Sequence, residues 1–336
     1  MRTLRALVFL VLVPASALPG AEPGHAAFSS AWQRYADEVS ALPLQPDCVP
    51  RMLPAQPRAE RRGAVVMFHG FGGCPQQMFE FAERIATQGF DVLLPLLPGH
   101  GERPNADGEE QLDRLPDGDS WPRYTEFAAR MIDMMAFSAG TNIVVGFSLG
   151  GAVALNAGLR APDRFDRMLL LAPMFAFPGA EPVEQMATLV GRTPGFREIV
   201  VKPGGIRDEC DAWQAAGRAG FCDYRYEHGA ALAHLAGRNR RLREERPLTL
   251  PTQIVGAGDE KYVSNRRLTS FAETERLTAP VELCFLPDDV PHEMLTPYEN
   301  IGRDMYWLDD LMQGLVRFVV EGEFMPAPQC IIENAD

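Results

Sequence analysis

An apolar segment that leads directly into a glycine-flanked serine constrains this chain more than any other feature. Asn142-Ile-Val-Val145 is followed at once by Gly146-Phe-Ser-Leu-Gly150, which matches the pattern G-x-S-x-G. In that pattern the serine stands on a tight turn between a strand and a helix, where neighbours bulkier than glycine would clash. Its oxygen then points out of the end of a sheet. Ser148 is therefore the candidate nucleophile.

The rest of the chain alternates predicted strands with helical patterns. The further predicted strands cover residues 63–68, 92–97, 168–172, 251–255 and 281–286. Most of them are continuous apolar runs, as expected for strands that are buried on both faces. Helical spacing of apolar residues falls between them and again near the end of the chain. This alternation predicts an α/β fold, in which a mostly parallel central sheet is flanked by helices.

One long interruption divides this pattern. Residues 176–248 contain no comparable strand, and they separate the fourth predicted strand from the fifth. Long structureless segments are uncommon inside a domain, so we interpret this one as an inserted cap or lid. The core is then predicted from residues 61–175 and 249–325. Residues 18–60 are rich in proline and alanine without a clear period, and they form a separate N-terminal segment.

A nucleophilic serine needs a general base, which is most often histidine. The chain has six histidines: His25, His69, His100, His228, His234 and His292. His292 follows the last predicted strand, and the loops after parallel strands meet at one edge of the sheet. It also completes the order serine, acid, histidine that is known for this motif. His292 is therefore the candidate base.

Two neighbouring carboxylates follow the penultimate predicted strand, and either could be the acid that orients this histidine. Such an acid holds the imidazole tautomer and stabilises the imidazolium. Asp259 stands three residues after Gly256, whereas Glu260 stands three residues before Val263. Asp259 is the first choice because aspartate is the commoner partner, and Glu260 is the alternative.

A glycine-rich turn follows the first predicted strand of the core. It reads His69-Gly-Phe-Gly-Gly73, and glycines allow backbone N–H groups to approach a ligand closely. The charge that develops on a carbonyl oxygen during acyl transfer needs such donors. We therefore predict an oxyanion hole made by the backbone N–H groups of Phe71 and Leu149.

Charge and residue types exclude several functions. The net charge is −13, whereas a protein that follows the phosphates of nucleic acid needs a basic surface. The only lysines are Lys202 and Lys261, and neither follows a glycine as in a phosphate-binding GxxxxGK loop. None of the six cysteines forms a C-x-x-C pair, which argues against a structural zinc site. No nucleic-acid partner, P-loop or metal is therefore expected.

The first 17 residues have the pattern of a cleavable secretory signal. Arg2 and Arg5 precede the eight apolar residues Ala6–Val13, and Pro14-Ala-Ser-Ala17 supplies small residues for cleavage. Eight apolar residues are too few to span a bilayer. The mature chain is therefore expected to be periplasmic or secreted, with no membrane-spanning segment.

Export would expose the cysteines to an oxidising compartment. Cys210 and Cys222 are close in sequence and flank a polar stretch, so they are the best candidates for a disulfide. Cys284 lies inside the apolar run 281–286 and is interpreted as a buried thiol. Spacing alone does not fix the remaining pairs.

These motifs together resemble the α/β-hydrolase superfamily, and within it the bacterial carboxylesterases and monoacylglycerol-lipase-type hydrolases. The matching segments span roughly residues 60–320: His69-Gly-Phe-Gly-Gly73, Pro98-Gly-His-Gly101, Gly146-Phe-Ser-Leu-Gly-Gly151, Gly256-x-x-Asp259 and His292. The resemblance implies ester hydrolysis through an acyl-enzyme, a cap that shapes the acyl pocket, and no cofactor.

The substrate expected from this resemblance is a small carboxylic ester with a short- to medium-chain acyl group. Four apolar residues near the strand ends are candidates for the acyl pocket or, equally, for the core of the cap: Met174, Phe175, Phe177 and Met186. An amidase or peptidase of the same fold is one alternative. A non-catalytic binding protein that kept the fold is another, although serine, acid and histidine are all present in order. The oligomeric state stays open.

Overall fold

A seven-stranded sheet forms the centre of the computed structural model, which describes residues 23–57, 60–179, 181–201 and 206–331. The strands in the described residues are β1 (Arg51–Leu53), β2 (Gly63–Phe68), β3 (Phe90–Leu94), β4 (Thr141–Phe147), β5 (Arg167–Leu171), β6 (Val200–Val201), β7 (Tyr224–Arg225), β8 (Thr252–Gly256) and β9 (Val281–Phe285). The sheet order is β1-β3-β2-β4-β5-β8-β9, and β1 alone runs antiparallel to its neighbour. The predicted secretory signal, residues 1–17, lies outside the described residues.

Helices pack around this sheet. Those in the described residues are α1 (Pro23–Ser40), α2 (Phe79–Ala86), α3 (Pro122–Met135), α4 (Leu149–Arg160), α5 (Glu181–Val190), α6 (Ile206–Ala215), α7 (Tyr226–Glu245), α8 (Asn265–Glu275) and α9 (Leu308–Glu321). The predicted α/β fold with a mostly parallel sheet is thereby confirmed. None of the helices in this part of the chain has the length and apolar character that crossing a bilayer requires.

All six predicted strands are present, with small differences at their ends. The largest difference is in β3, which spans Phe90–Leu94 instead of residues 92–97. Pro95 follows β3 and has no backbone N–H to continue a sheet ladder, so the apolar run outlasts the strand. The central position of β4, between β2 and β5, places the start of α4 in the middle of the sheet edge.

The N-terminal segment is more regular than its composition indicated. Helix α1 buries Phe28, Trp32 and Tyr35 against the core, and these residues recur every three or four positions along one face. The Tyr35 hydroxyl donates to the carbonyl of Leu96 at 3.1 Å and accepts from its N–H at 3.0 Å. Helix α1 thereby anchors the segment that follows β3.

The residues between β5 and β8 form a separate layer of helices, and we refer to residues 176–248 as the cap segment. It contains α5, α6 and α7, together with a small two-stranded sheet in which β6 pairs antiparallel with β7. Helix α7 lies against α4 through buried amides, because Asn239 accepts from Asn156 at 2.8 Å and donates to the Ala152 carbonyl at 2.7 Å. The cap segment is thus fixed to α4, the helix that follows Ser148.

All six cysteines are paired in disulfides. The predicted pair Cys210–Cys222 is present within the cap segment, and Cys48–Cys74 joins the N-terminal segment to the residues after β2. The interpretation of Cys284 as a buried thiol is wrong, because it pairs with Cys330. The chain after α9 returns to β9, where the Phe285 N–H donates to the Pro328 carbonyl at 2.8 Å. This return brings together two cysteines that are distant in sequence.

Candidate active site

Ser148 occupies the turn between β4 and α4, with φ of 53° and ψ of −116°. A non-glycine residue in this region is strained by about 1–3 kcal/mol, so the surrounding structure must hold it there. The backbone supplies that hold, because the Ser148 N–H donates to the carbonyl of Leu171 at the end of β5, at 2.9 Å. The nucleophile predicted from sequence therefore stands at the end of a central strand.

The two glycines of the motif are required by close backbone contacts. A Cβ atom on Gly146 would lie 2.1 Å from the Gly150 carbonyl oxygen. A Cβ atom on Gly150 would lie 2.2 Å from the Phe68 carbonyl oxygen, at the end of β2. Any side chain at either position would force the backbone apart. The pattern G-x-S-x-G thus follows from the packing of β4, α4 and β2 around Ser148.

His292 lies in the loop after β9 and is buried between two aromatic rings. The ring centroids of Phe147 and Tyr262 are 5.0 and 5.1 Å from that of His292. Its Nδ1 lies 2.7 Å from Oε2 of Glu260. A carboxylate can only accept, so the proton of this hydrogen bond sits on Nδ1 and leaves Nε2 free to accept another. Although burial lowers it, the Glu260 carboxylate raises the pKa of His292 above its ordinary value.

Glu260, and not Asp259, is the carboxylate that contacts the histidine. The side chain of Glu260 is 2% exposed, and its Oε1 accepts from the N–H groups of Tyr262 and Val263 at 2.8 and 3.0 Å. Asp259 is 37% exposed and lies 3.2 Å from the ammonium of Lys261. The first choice made from sequence, Asp259, is therefore corrected to the alternative, Glu260.

The backbone explains this correction. The Asp259 N–H donates to the Val290 carbonyl at 2.9 Å, so the segment is extended beside the loop that carries His292. Consecutive side chains of an extended segment point to opposite sides. Asp259 consequently faces outward, and Glu260 faces the histidine. The choice of Asp259 rested on aspartate being the commoner partner of histidine, and that frequency does not depend on which side of the segment each side chain faces.

The two predicted oxyanion donors border the same cavity as Ser148. Leu149 is the first residue of α4, so its N–H has no partner within the helix. Phe71 lies in the turn after β2, which Gln77 holds by accepting the Gly70 N–H at 2.8 Å. Both residues line the cavity that Ser148 and His292 also line. The structure thus brings four of the five predicted site residues together, and it places Glu260 against His292 where Asp259 was expected.

The cavity has a volume of about 350 Å³ and a largely apolar wall. Of the four candidates for the acyl pocket, Met174 and Phe177 line it. Phe175 instead packs on Phe271, at a centroid distance of 4.4 Å, and Met186 is 60% exposed on α5. For Phe175 the core alternative therefore holds, whereas Met186 belongs to neither the pocket nor the core, because apolar character alone does not distinguish these environments from a surface.

Sequence reasoning missed the residues that the cap segment adds to this cavity. They include Cys210, Trp213, Arg218, Phe221, Cys222, Tyr224 and Leu232. The disulfide Cys210–Cys222 closes the loop that contains several of them. This disulfide was predicted from the sequence, and it indicates that the residues between the two cysteines are held in place.

A second acidic residue, Glu293, also lines the cavity next to His292. Burial raises the pKa of Glu293 to about 7, and the nearby Glu299 adds to this rise. Within the described ranges, no group of three or more His, Cys, Asp or Glu side chains is arranged to hold a metal ion.

Comparison with known proteins gives matches at the levels of family and fold. The family model Hydrolase_4, described as serine aminopeptidase, S33, matches residues 59–296. A thermostable monoacylglycerol lipase of Bacillus sp. (strain H-257) is 32% identical over 99 residues, which are 30% of this chain and 36% of that protein. The match therefore spans about a third of the length of this relative.

Solved structures of similar fold include lipases and esterases. A monoacylglycerol lipase of Paleococcus ferrophilus has a TM-score of 0.60 at 15% identity, and the superposition covers 82% of this chain and 98% of that one. A soluble variant of monoglyceride lipase from Saccharomyces cerevisiae has a TM-score of 0.58 at 12% identity, covering 80% and 89%. At these identities the likeness shows a common fold.

Proposed function

The chain belongs to the Hydrolase_4 family of α/β-hydrolases, described as serine aminopeptidase, S33, and from this premise we propose that it is a serine hydrolase of carboxylic esters. One observation carries the proposal. A strained serine, a buried histidine paired with a carboxylate, and two backbone donors all border the same cavity. Ser148, His292 and Glu260 are the proposed triad, and the N–H groups of Phe71 and Leu149 are the proposed oxyanion donors.

In the proposed reaction, Ser148 Oγ attacks the ester carbonyl while His292 Nε2 takes its proton. Glu260 keeps the proton of the resting imidazole on Nδ1 and stabilises the imidazolium that forms. His292 then protonates the leaving alcohol, and the acyl group stays on Ser148. Water, deprotonated by the same histidine, releases the acid and restores the serine.

The oxyanion of each tetrahedral intermediate would be bound by the N–H groups of Phe71 and Leu149. Such donors are worth about 3 kcal/mol each when they are already aimed at the developing charge. Leu149 supports this role because it begins α4, whose positive end favours an anion. Phe71 supports it because Gln77 fixes the preceding peptide of the turn.

We further propose that the acyl group is short to medium in length. The cavity volume of about 350 Å³ lies near the lower end of the range for small-molecule sites, which begins at about 300 Å³. Apolar side chains from the core and the cap segment, Met174, Phe177 and Leu232, line it. The similarity to monoacylglycerol lipases agrees with a small ester substrate.

The cap segment, residues 176–248, is proposed to cover the active site of a core formed by residues 61–175 and 249–325. Its residues supply a large share of the cavity wall, which supports this division.

We also propose that the protein acts in the periplasm or outside the cell. Three disulfides support an oxidising location.

Hydrolysis of p-nitrophenyl esters from acetate to palmitate tests the proposed function. We expect turnover with an optimum among short and medium acyl chains, because the cavity is near the lower size limit of ligand sites. The measurement is kcat/KM for each ester. An optimum at palmitate would contradict the proposed acyl length. Inertness towards every ester would contradict the ester assignment and favour a non-catalytic binding protein.

Amide hydrolysis is the second candidate, and two observations favour it. The family description names serine aminopeptidases, and Glu293 places a carboxyl group in the cavity, where it could pair with an ammonium group. Amides with the same acyl group, offered as p-nitroanilides, separate the two candidates. Faster turnover of the anilide than of the matching ester would favour the peptidase assignment.

Activity is expected to fall on the acid side at a pH above the ordinary histidine value. Only neutral His292 can accept the serine proton, and the Glu260 carboxylate raises its pKa above 6.5. The acid limb of the pH profile of kcat/KM should therefore have its midpoint above 6.5. A profile that stays flat from above this value down to about pH 5 would contradict His292 as the base.

A further inference from the structure

A buried ion pair joins the cap segment to the loop that follows His292. Arg218 Nε lies 2.7 Å from Oε1 of Glu299, and the two side chains are only 6% and 2% exposed. Breaking such a pair leaves a buried charge without its partner, which is strongly unfavourable. Arg218 also donates to the Phe221 carbonyl at 3.3 Å, so the guanidinium is fixed within its own loop.

The same carboxylate connects to the proposed oxyanion turn. Gln77 Nε2 lies 3.2 Å from both oxygens of Glu299, and Gln77 Oε1 accepts the Gly70 N–H at 2.8 Å. Gly70 directly precedes Phe71, whose N–H is a proposed oxyanion donor. A continuous chain of polar contacts therefore runs from Arg218 through Glu299 and Gln77 to the peptide beside this donor.

A second set of contacts joins the same two regions directly. The Phe221 N–H donates to the Gly72 carbonyl at 2.9 Å, and the Ala219 N–H donates to the side chain of Gln76 at 2.8 Å. The disulfide Cys210–Cys222 closes the loop that carries Arg218, which restricts the positions that this loop can adopt. The cap loop is thus attached to the oxyanion turn directly at Gly72, and indirectly at Gly70 through Glu299 and Gln77.

We propose that Arg218 and Glu299 are positioning residues, whose ion pair holds the oxyanion turn at Phe71 in its catalytic geometry through Gln77. This inference rests on the proposed function, because the geometry matters only if an oxyanion forms there. The cap segment then does more than cover the cavity: its position is coupled to the strength of transition-state stabilisation.

Hydrogen exchange of the peptide covering residues 69–78 tests the coupling without any substrate. Arg218→Met should speed amide exchange in this peptide by about tenfold, because the local opening free energy falls. Arg240→Met is the matched control. Arg240 makes a bidentate pair with Glu184 inside the cap segment, at 2.7 and 3.2 Å, and does not line the cavity of Ser148. The control should leave this exchange unchanged.

Kinetics then test the effect on catalysis. Arg218→Met should lower kcat by about 10- to 100-fold while KM changes little, because a misplaced donor weakens transition-state binding more than substrate binding. A trifluoromethyl ketone forms a tetrahedral oxyanion adduct with the serine, and its affinity should fall by the same factor as kcat/KM. Arg218→Lys keeps a cation beside Glu299 and should recover most of the loss.

Several outcomes would overturn the proposal. One is amide exchange in residues 69–78 of Arg218→Met at the wild-type rate. Another is a loss of kcat in Arg218→Met no greater than that in Arg240→Met. A third is a loss of kcat in Arg218→Met with unchanged affinity for the trifluoromethyl ketone. If Arg218→Met does not fold, Glu299→Gln, which keeps the shape of the side chain, takes its place in the same tests. Faster exchange in a protein whose wild type hydrolyses no ester would support the coupling and contradict the proposed function alone.

Discussion

Replacing Ser148 with alanine should lower kcat/KM for p-nitrophenyl butyrate by about 10⁴-fold or more, because the proposed acyl-enzyme forms on its side-chain oxygen. The residual activity should come from the oxyanion donors and from substrate binding, which the substitution leaves in place. The fold should persist, since alanine fits wherever serine does, and the N–H that bonds Leu171 is retained. Circular dichroism and thermal denaturation check this point.

Ser138→Ala is the matched control, since Ser138 lies in the turn after α3, where its hydroxyl donates to the neighbouring carbonyl of Ala139 at the surface. This variant should keep wild-type kinetics. If Ser148→Ala keeps more than about a tenth of the activity, the proposed acyl-enzyme mechanism is contradicted, because loss of a nucleophile costs far more than tenfold. The ester turnover of the wild type would then arise from a different group.

The position of this serine could be predicted from sequence because its constraints are local. Gly146 and Gly150 exclude Cβ atoms that would meet backbone oxygens at 2.1 and 2.2 Å. The strands were equally readable, because a strand such as β2 is buried along its whole length and therefore consists of one apolar run. Features that depend on neighbouring residues, or on the burial of both faces of a strand, can therefore be predicted from the sequence.

Other elements depend on contacts between distant residues, and the amino-acid composition did not allow them to be predicted. Helix α1 was not predicted, because the proline and alanine content of this segment obscures the helical spacing of Phe28, Trp32 and Tyr35, which are buried along one face. The pairing of Cys284 with Cys330 depends on the return of the chain to β9, which no local pattern announces. The cavity wall contributed by the cap segment depends on how its helices pack on α4.

The identity of the acid also depends on a contact between residues that are distant in sequence, and it could not be predicted from local patterns. Sequence narrowed the choice to Asp259 and Glu260, because both follow a strand that ends at the active edge of the sheet. The choice between them depends on which side of an extended segment faces His292, and that side is set by pairing with the segment at Val290. Residue frequencies do not contain this information.

Glu260→Gln should lower kcat/KM by about 10³- to 10⁴-fold, because the amide reverses the direction of the hydrogen bond to His292. The side-chain oxygen is retained by the N–H groups of Tyr262 and Val263, which need an acceptor. The amide nitrogen then faces Nδ1 and donates to it, so the ring proton moves to Nε2. In this tautomer the histidine cannot accept the proton of Ser148.

Asp259→Asn is the control that separates the two carboxylates. Asp259 is partly exposed and paired with Lys261, so its loss should change kcat/KM by no more than about threefold, as for other surface ion pairs. The pH profile gives a second readout, because removal of the Glu260 charge should lower the pKa of His292 and move the acid limb to lower pH. The Asp259 variant should leave the limb in place. A large loss in Asp259→Asn together with a small loss in Glu260→Gln would reassign the acid, and would require the loop to rearrange when substrate binds.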